Sequence, residues 1–414
     1  MSKLNFNIIF FSLMVFLMLA YEDFSQKIPI ENLDYCHTFY IAGYIVRHNL
    51  TDNLYFDVNK PDFTDASGFD FYVHKVLPQL NKNMNTYFFY SPATAMVFAV
   101  LACLPLNFSL FSWQILSVAA LSFSIKKIAD TFNTDSWKPI YRNILFFPVV
   151  LTVLTGQANL GLGLLPLSLS YYFIHRNNFF KAGLMLGLVL LKPQYLPLSL
   201  LLIGAYGLNK NLKLLWGFLA GIGSLIGLTS ILINSHIFTT WVLNFKIFDS
   251  LFSLTSYQFP IKLVSSLVAC LLLATPVNLT SVFKIPIYML AFLLSLQCLI
   301  ICKKLLSRNK EYFPYVFILG IFIIPVISPH LLYYDLSLYS LAGVIIYGLK
   351  DYNLSFKNTV LPIWVILNLN ALFIAIVEKT QIIPSLLTQI LLAVIYGVTV
   401  YKINKKYNTI QMTV

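Results

Sequence analysis

The sequence predicts an all-α integral membrane protein: a polytopic bundle of about twelve transmembrane helices, forming one membrane domain over residues 1–414. Three observations predict it. Only 11% of the residues are charged and 58% are hydrophobic, with mean hydropathy +0.76, against roughly 25% charged in a soluble domain. Apolar stretches near the ~20 residues needed to cross a bilayer recur from end to end. Finally, most of the 28 Lys and Arg residues fall in short loops that alternation places on one side, as the positive-inside tendency requires. The net charge of +12 is thereby explained by topology, and nucleic acid is not an expected partner.

Taken in order, segment 6–21 reads as an uncleaved first span, because one Lys precedes it and no small-x-small cleavage site follows. Residues 91–106 lie between Pro92 and Pro105 and read as a non-spanning juxtamembrane helix, whereas 108–125 spans and is stopped by Lys126 and Lys127. Spans are then expected at 143–155, 159–174, 180–193, 194–208 and 213–233, an interfacial helix at 260–274, and further spans at 284–301, 311–327, 331–348, 359–377 and 385–401. Lys402, Lys405 and Lys406 put the C-terminal tail in the cytoplasm. A topology in which 91–106 or 260–274 also spans stays open. Two long outer segments, 22–107 and 234–283, can cap the bundle. The five cysteines form no CxxC pair, so neither a disulfide framework nor a zinc site is indicated. No metal or other cofactor is called for.

Candidate chemistry converges on the outer face. Asp34 precedes a stripe of Tyr35, Phe39, Ala42 and Val46 at helical spacing. That stripe leaves Asp34, His37 and Thr38 on an adjoining face, where a partly desolvated carboxylate suits the removal of a hydroxyl proton. Ser328 and Pro329 read as N-cap and first residue of a helix, which would aim free N–H groups and His330 at an anion. Tyr334 and Asp335 follow, and an ionisable group at membrane depth is a functional candidate by default. Lys192, in Lys192-Pro193-Gln194, suits an anionic phosphate or snorkels to the interface. Gln157 and Asn159 suit sugar hydroxyls or cap helix ends, and Tyr90 is a substrate contact or an interface anchor.

In this order, Asp34-Tyr35, Tyr90-Ser91-Pro92, Gly156-Gln157-Ala158-Asn159, Leu191-Lys192-Pro193-Gln194 and Ser328-Pro329-His330 with Tyr334-Asp335 resemble the landmarks of glycosyltransferase family 87. These are polyprenyl-phosphate-mannose-dependent α-mannosyltransferases of the GT-C superfamily, and the similarity runs over about residues 5–350. The resemblance implies a GT-C-like bundle and an inverting hexosyl, specifically mannosyl, transfer from a polyprenyl-phosphate sugar to a lipid or glycan acceptor. It implies Asp34 as catalytic base, His330 and Lys192 at the donor phosphate, and Tyr35, Tyr90, Gln157, Asn159, Gln194, Tyr334 and Asp335 as substrate contacts. One carboxylate suffices, since a phosphate leaving group needs little protonation, whereas hydrolases usually need a pair. The expected location is the bacterial plasma membrane with the site on its outer, periplasmic side. The loop 49–88, with Asp52, Asp57, Asp62, Asp65 and Asp70, departs from the pattern and leaves the acceptor open. Rival readings are a flippase or transporter of lipid-linked sugars, which would want paired charges and internal repeats, and a glycan polymerase or ligase, which would want more outer arginines.

Overall fold

The computed structural model describes residues 30–55, 68–80, 86–135, 137–144, 146–209, 211–251, 261–351, 354–377 and 381–411. The expected first span at 6–21 and the loop aspartates Asp57, Asp62 and Asp65 lie outside them. Among the described residues the chain is helical, with one isolated antiparallel bridge between Val264 and Leu332.

The helices are α1 (Ile41–Arg47), α2 (Gly68–Val76), α3 (Pro92–Leu101), α4 (Leu106–Thr131), α5 (Trp137–Ile144), α6 (Phe147–Thr155), α7 (Leu165–His175), α8 (Phe179–Leu188) and α9 (Leu196–Gly207). They continue as α10 (Leu212–Leu232), α11 (Ile237–Leu251), α12 (Leu267–Ala274), α13 (Val277–Arg308), α14 (Phe313–Ile327), α15 (Tyr339–Leu349), α16 (Leu361–Ile376) and α17 (Ile383–Gln411). Among them, five helices are long and apolar enough to cross a membrane: α4, α10, α13, α16 and α17 with their helical extensions. A sixth span arises if α6 and the stretch Asn159–His175, which meet at 114°, count as one broken crossing. The protein is therefore an integral membrane protein. α3, with 10 residues, and α12, with 8, are too short to cross alone at 1.5 Å per residue.

Burial sorts these helices. α14 is apolar all round and buried on every face from Val316 to Val326, which makes it the centre of the bundle. α13, α10 and α17 present large side chains outward, including Ile231 at 82% and Phe292 at 67% exposure, the lipid-facing side of such a bundle. α8 and α10 approach through two reciprocal small-residue pairs. A Cβ on Gly183 or Gly187 would run into the backbone of Leu214 or Phe218, and one on Gly217 or Gly221 into that of Phe180 or Leu184. Four-residue spacing on both helices lets the backbones touch, the usual device for helix association in lipid.

Two expectations are corrected. The segment after Asp34 begins as a π-helical turn, Tyr35–Tyr40, before α1. Its wider turn shifts the side-chain phase, so Cys36, His37, Ile41 and Ile45 are buried beside Tyr35, Phe39 and Ala42, and His37 is not on a polar face. The second concerns Ser328-Pro329-His330. Ser328 ends α14 instead of starting a helix, held extended (φ −67°, ψ 133°) by the following proline. The chain runs on extended, Ser265 N–H donating to Leu331 O at 2.8 Å, and regains helical form only at the 3₁₀ stretch Tyr333–Leu338 leading into α15. There the Asp335 side chain serves as the cap, accepting from Leu332 N at 2.8 Å.

Candidate active site

Five elements bring the polar residues together, one of them the 3₁₀ stretch Tyr333–Leu338 with Tyr334 and Asp335. Asp34 stands at the start of the π turn, held by its neighbour Tyr35. That ring is fully buried against Phe98, 5.8 Å between centroids, and its hydroxyl hydrogen-bonds Ser109 Oγ of α4 at 2.6 Å. Tyr90 precedes α3, which packs on α1 at Gly43, where a Cβ would strike the Phe98 carbonyl. Gln157 and Asn159 occupy the elbow between α6 and α7. Gly156 closes α6 in the left-handed region at φ +69°, and a Cβ there would meet the Tyr35 Cβ at 2.5 Å. Glycine is therefore required twice over. Lys192 lies in the break between α8 and α9, between 3₁₀ turns at Val189–Leu191 and Pro193–Tyr195. Thr94 ties that break to α3 by donating to Leu191 O at 2.6 Å.

From these positions the side chains form one continuous chain of hydrogen bonds. Lys192 Nζ lies 3.0 Å from Asp335 Oδ1 and donates to Tyr90 Oη at 3.1 Å. The Tyr90 hydroxyl donates to Gln157 Oε1 at 3.2 Å, and Gln157 Nε2 donates in turn to Asp34 Oδ2. Burial pushes the Tyr90 phenol pKa well above its ordinary value, and the charges of Asp335 and Asp34 add to the shift. Tyr90 therefore stays a donor. Every dipole points the same way, from cation to carboxylate, and aligned bonds of this kind polarise one another. The Gln157 backbone is held too, its carbonyl accepting from Trp113 Nε1 at 3.2 Å.

The deep end is dry. Lys192 is 0% and Asp335 2% exposed, a pair that interior burial allows only when the remaining lone pairs and protons find partners. They do. Asn159 Nδ2 donates to Asp335 Oδ1 at 3.1 Å and to Tyr334 O at 2.8 Å, Tyr195 donates to Asp335 O at 2.8 Å, and the Leu332 N–H takes Oδ2. The Lys192 ammonium also faces the rings of Tyr90 and Tyr334 at 4.7 and 5.5 Å. Asp34, at the other end, keeps 33% side-chain exposure. One end is sealed and the other is reachable.

Of the residues expected from sequence, Asp34, Tyr90, Gln157, Asn159, Lys192, Tyr334 and Asp335 are thus brought into one network, with Tyr35 as its buried support. Gln194 and His330 are half-buried. Gln194 Oε1 has no hydrogen-bond partner among the described residues. Asp70, on α2, is buried and accepts from the Thr86 backbone and hydroxyl at 2.7 and 3.0 Å, a bond that ties α2 to the segment before α3. Sequence reading missed Tyr195, whose only signal was its place two residues after Pro193, and the buried state of His37.

In comparison with known proteins, the family model described as glycosyltransferase family 87 matches residues 88–329, more than half of the chain. The matched span contains Tyr90, the Gln157–Asn159 elbow and Lys192; Asp34, Tyr334 and Asp335 lie outside it. No curated protein and no solved structure matches the chain.

Proposed function

The chain belongs to glycosyltransferase family 87, and on that premise we propose that it moves a hexose, specifically mannose, from a polyprenyl-phosphate sugar to a lipid or glycan acceptor, with inversion. In this reading the bundle is a GT-C-like fold of about twelve spans, seated in a bacterial plasma membrane, and the reaction runs on its outer face. The observation that carries the reading is the hydrogen-bond chain ending on Asp34. It leaves one carboxylate oxygen, Oδ1, free of Gln157 at the accessible end of an otherwise sealed polar network.

The chemistry follows from that asymmetry. The acceptor hydroxyl approaches Oδ1 and gives up its proton as its oxygen bonds the anomeric carbon, while the C–O bond to the polyprenyl phosphate breaks on the opposite face. The departing phosphate takes the electron pair and needs little protonation. Lys192 and His330 are assigned to that phosphate. Lys192 spends two of its three ammonium protons on Asp335 and Tyr90 and is fully buried, so the third meets a phosphate oxygen only when donor binding opens this end. Tyr90, Gln157, Asn159, Gln194, Tyr334 and Asp335 shape the sugar site, with Tyr35 behind Asp34.

The test is to incubate purified protein with polyprenyl-phosphate sugars and a membrane lipid extract, and to identify the product and its anomeric configuration. Asp34→Asn should abolish transfer at unchanged membrane abundance. Transfer only from nucleotide sugars would overturn the donor assignment, and full activity in Asp34→Asn would overturn the base.

A further inference from the structure

The chain of hydrogen bonds between Lys192 and Asp34 has chemically unlike ends, and together they leave its middle one arrangement. An ammonium donates and cannot accept, whereas a carboxylate only accepts. Tyr90 Oη, 3.1 Å from Lys192 Nζ, must therefore receive at that contact. From the other end, Asp34 Oδ2 takes the Gln157 amide N–H, which turns the Gln157 carbonyl to Tyr90 at 3.2 Å. The one proton of the Tyr90 hydroxyl is committed to that carbonyl. Tyr334, which also hydrogen-bonds Tyr90, is then the donor in that bond. The direction of every link is dictated by the cation at one end and the carboxylate at the other.

The cation is held in place from its own far side. Asp335 accepts from Asn159 Nδ2 at 3.1 Å through Oδ1 and from the Leu332 N–H at 2.8 Å through Oδ2, donors that suit a carboxylate. Lys192 Nζ, 3.0 Å from Oδ1, balances that charge. With the pair 0% and 2% exposed, water does not screen the ammonium, and its pull on the Tyr90 oxygen is passed along the aligned bonds.

We infer that Lys192 has a second task, on the opposite side of the site from the phosphate: acting through Tyr90 and Gln157, it is a positioning residue for Asp34. The inference rests on the reading of Asp34 as base. A side chain at position 192 that accepts a hydrogen bond lets Tyr90 turn its proton inward. The Gln157 carbonyl then loses its donor, the amide is free to rotate, and Asp34 is no longer gripped through Oδ2 alone. The third ammonium proton matters here, because Lys192 can engage the phosphate with it and keep its bond to Tyr90. The donor end and the base are thereby linked while both substrates are bound.

The experiment is a double-mutant cycle in the full-length protein: Lys192→Gln, Gln157→Leu and the two combined, with kcat and donor KM measured on a polyprenyl-phosphate sugar. Lys192→Gln alone should raise donor KM and also lower kcat at saturating donor by about tenfold. In the Gln157→Leu background the same substitution should cost about fivefold less in kcat, since members of one hydrogen-bond network do not act additively, while donor KM rises by the same factor as before. An equal kcat factor in both backgrounds would overturn the positioning role, and so would a Lys192→Gln variant altered in donor KM or thermal midpoint alone. Lys192→Gln leaves Asp335 buried without its cation. If that variant does not accumulate, Lys192→Gln with Asp335→Asn, which buries no unpaired charge, goes through the same cycle under the same criteria. An active Asp34→Asn would sink the base reading and this inference with it. An inactive Asp34→Asn beside an additive cycle would sink the inference alone.

Discussion

A carboxylate held through one oxygen is a more directional base than one solvated on both, and in the proposed reaction it is Gln157 that gives Asp34 this direction. Gln157 can present its amide nitrogen to Asp34 only because Tyr90 donates to its oxygen. An amide flip would set carbonyl against carboxylate. Gln157→Leu should therefore lower kcat by about tenfold to a hundredfold, and Tyr90→Phe should cause a smaller loss of the same kind, with protein abundance unchanged in both. Equal and full activity of the two variants would show that Asp34 needs no orienting. Much of this site was legible as a set of residues but not as a network. Asp34, Tyr90, Gln157, Lys192 and Asp335 each stand out as polar side chains in apolar surroundings. Nothing in their spacing says that Lys192 pairs with Asp335, since contacts across 143 positions are set by helix packing and not by local pattern.

At the level of the element, failures of local reading have physical causes. The Tyr35, Phe39, Ala42 and Val46 stripe assumes 3.6 residues per turn, and a π turn breaks that assumption at its start. Ser328-Pro329 has the composition of a helix start, yet a proline also forces the residue before it to be extended; the chain pairing with Ser265 decides in favour of the stop. The close pairing of α8 and α10 was not read from the sequence, although Gly183, Gly187, Gly217 and Gly221 stand at the four-residue spacing such contacts use. A leucine at Gly217 should destabilise the detergent-solubilised protein by about 1–3 kcal/mol, read as a lower thermal midpoint. Leucine at Gly223, whose Cβ would meet nothing within 4 Å, should leave it unchanged. A common effect of the two substitutions would refute the reciprocal-glycine contact.

For the whole molecule, membrane residence and helical class were readable from composition. The number of crossings was not, because α3, α6, α12 and α14 are shorter than a bilayer is thick, and only their packing decides what each does. Single cysteines near 107 and 126 test the expected topology: a membrane-impermeant thiol reagent should label the first from outside the cell and the second only after permeabilisation. Outside labelling at 126 would reverse the assigned sidedness of α4. The elbow of 114° between α6 and α7 carries a mechanical consequence. Neither arm has an exposed residue between Phe147 and Ile174, so the joint that carries Gln157 and Asn159 is clamped by packing from both sides, and its angle is a property of the core and not of the surface.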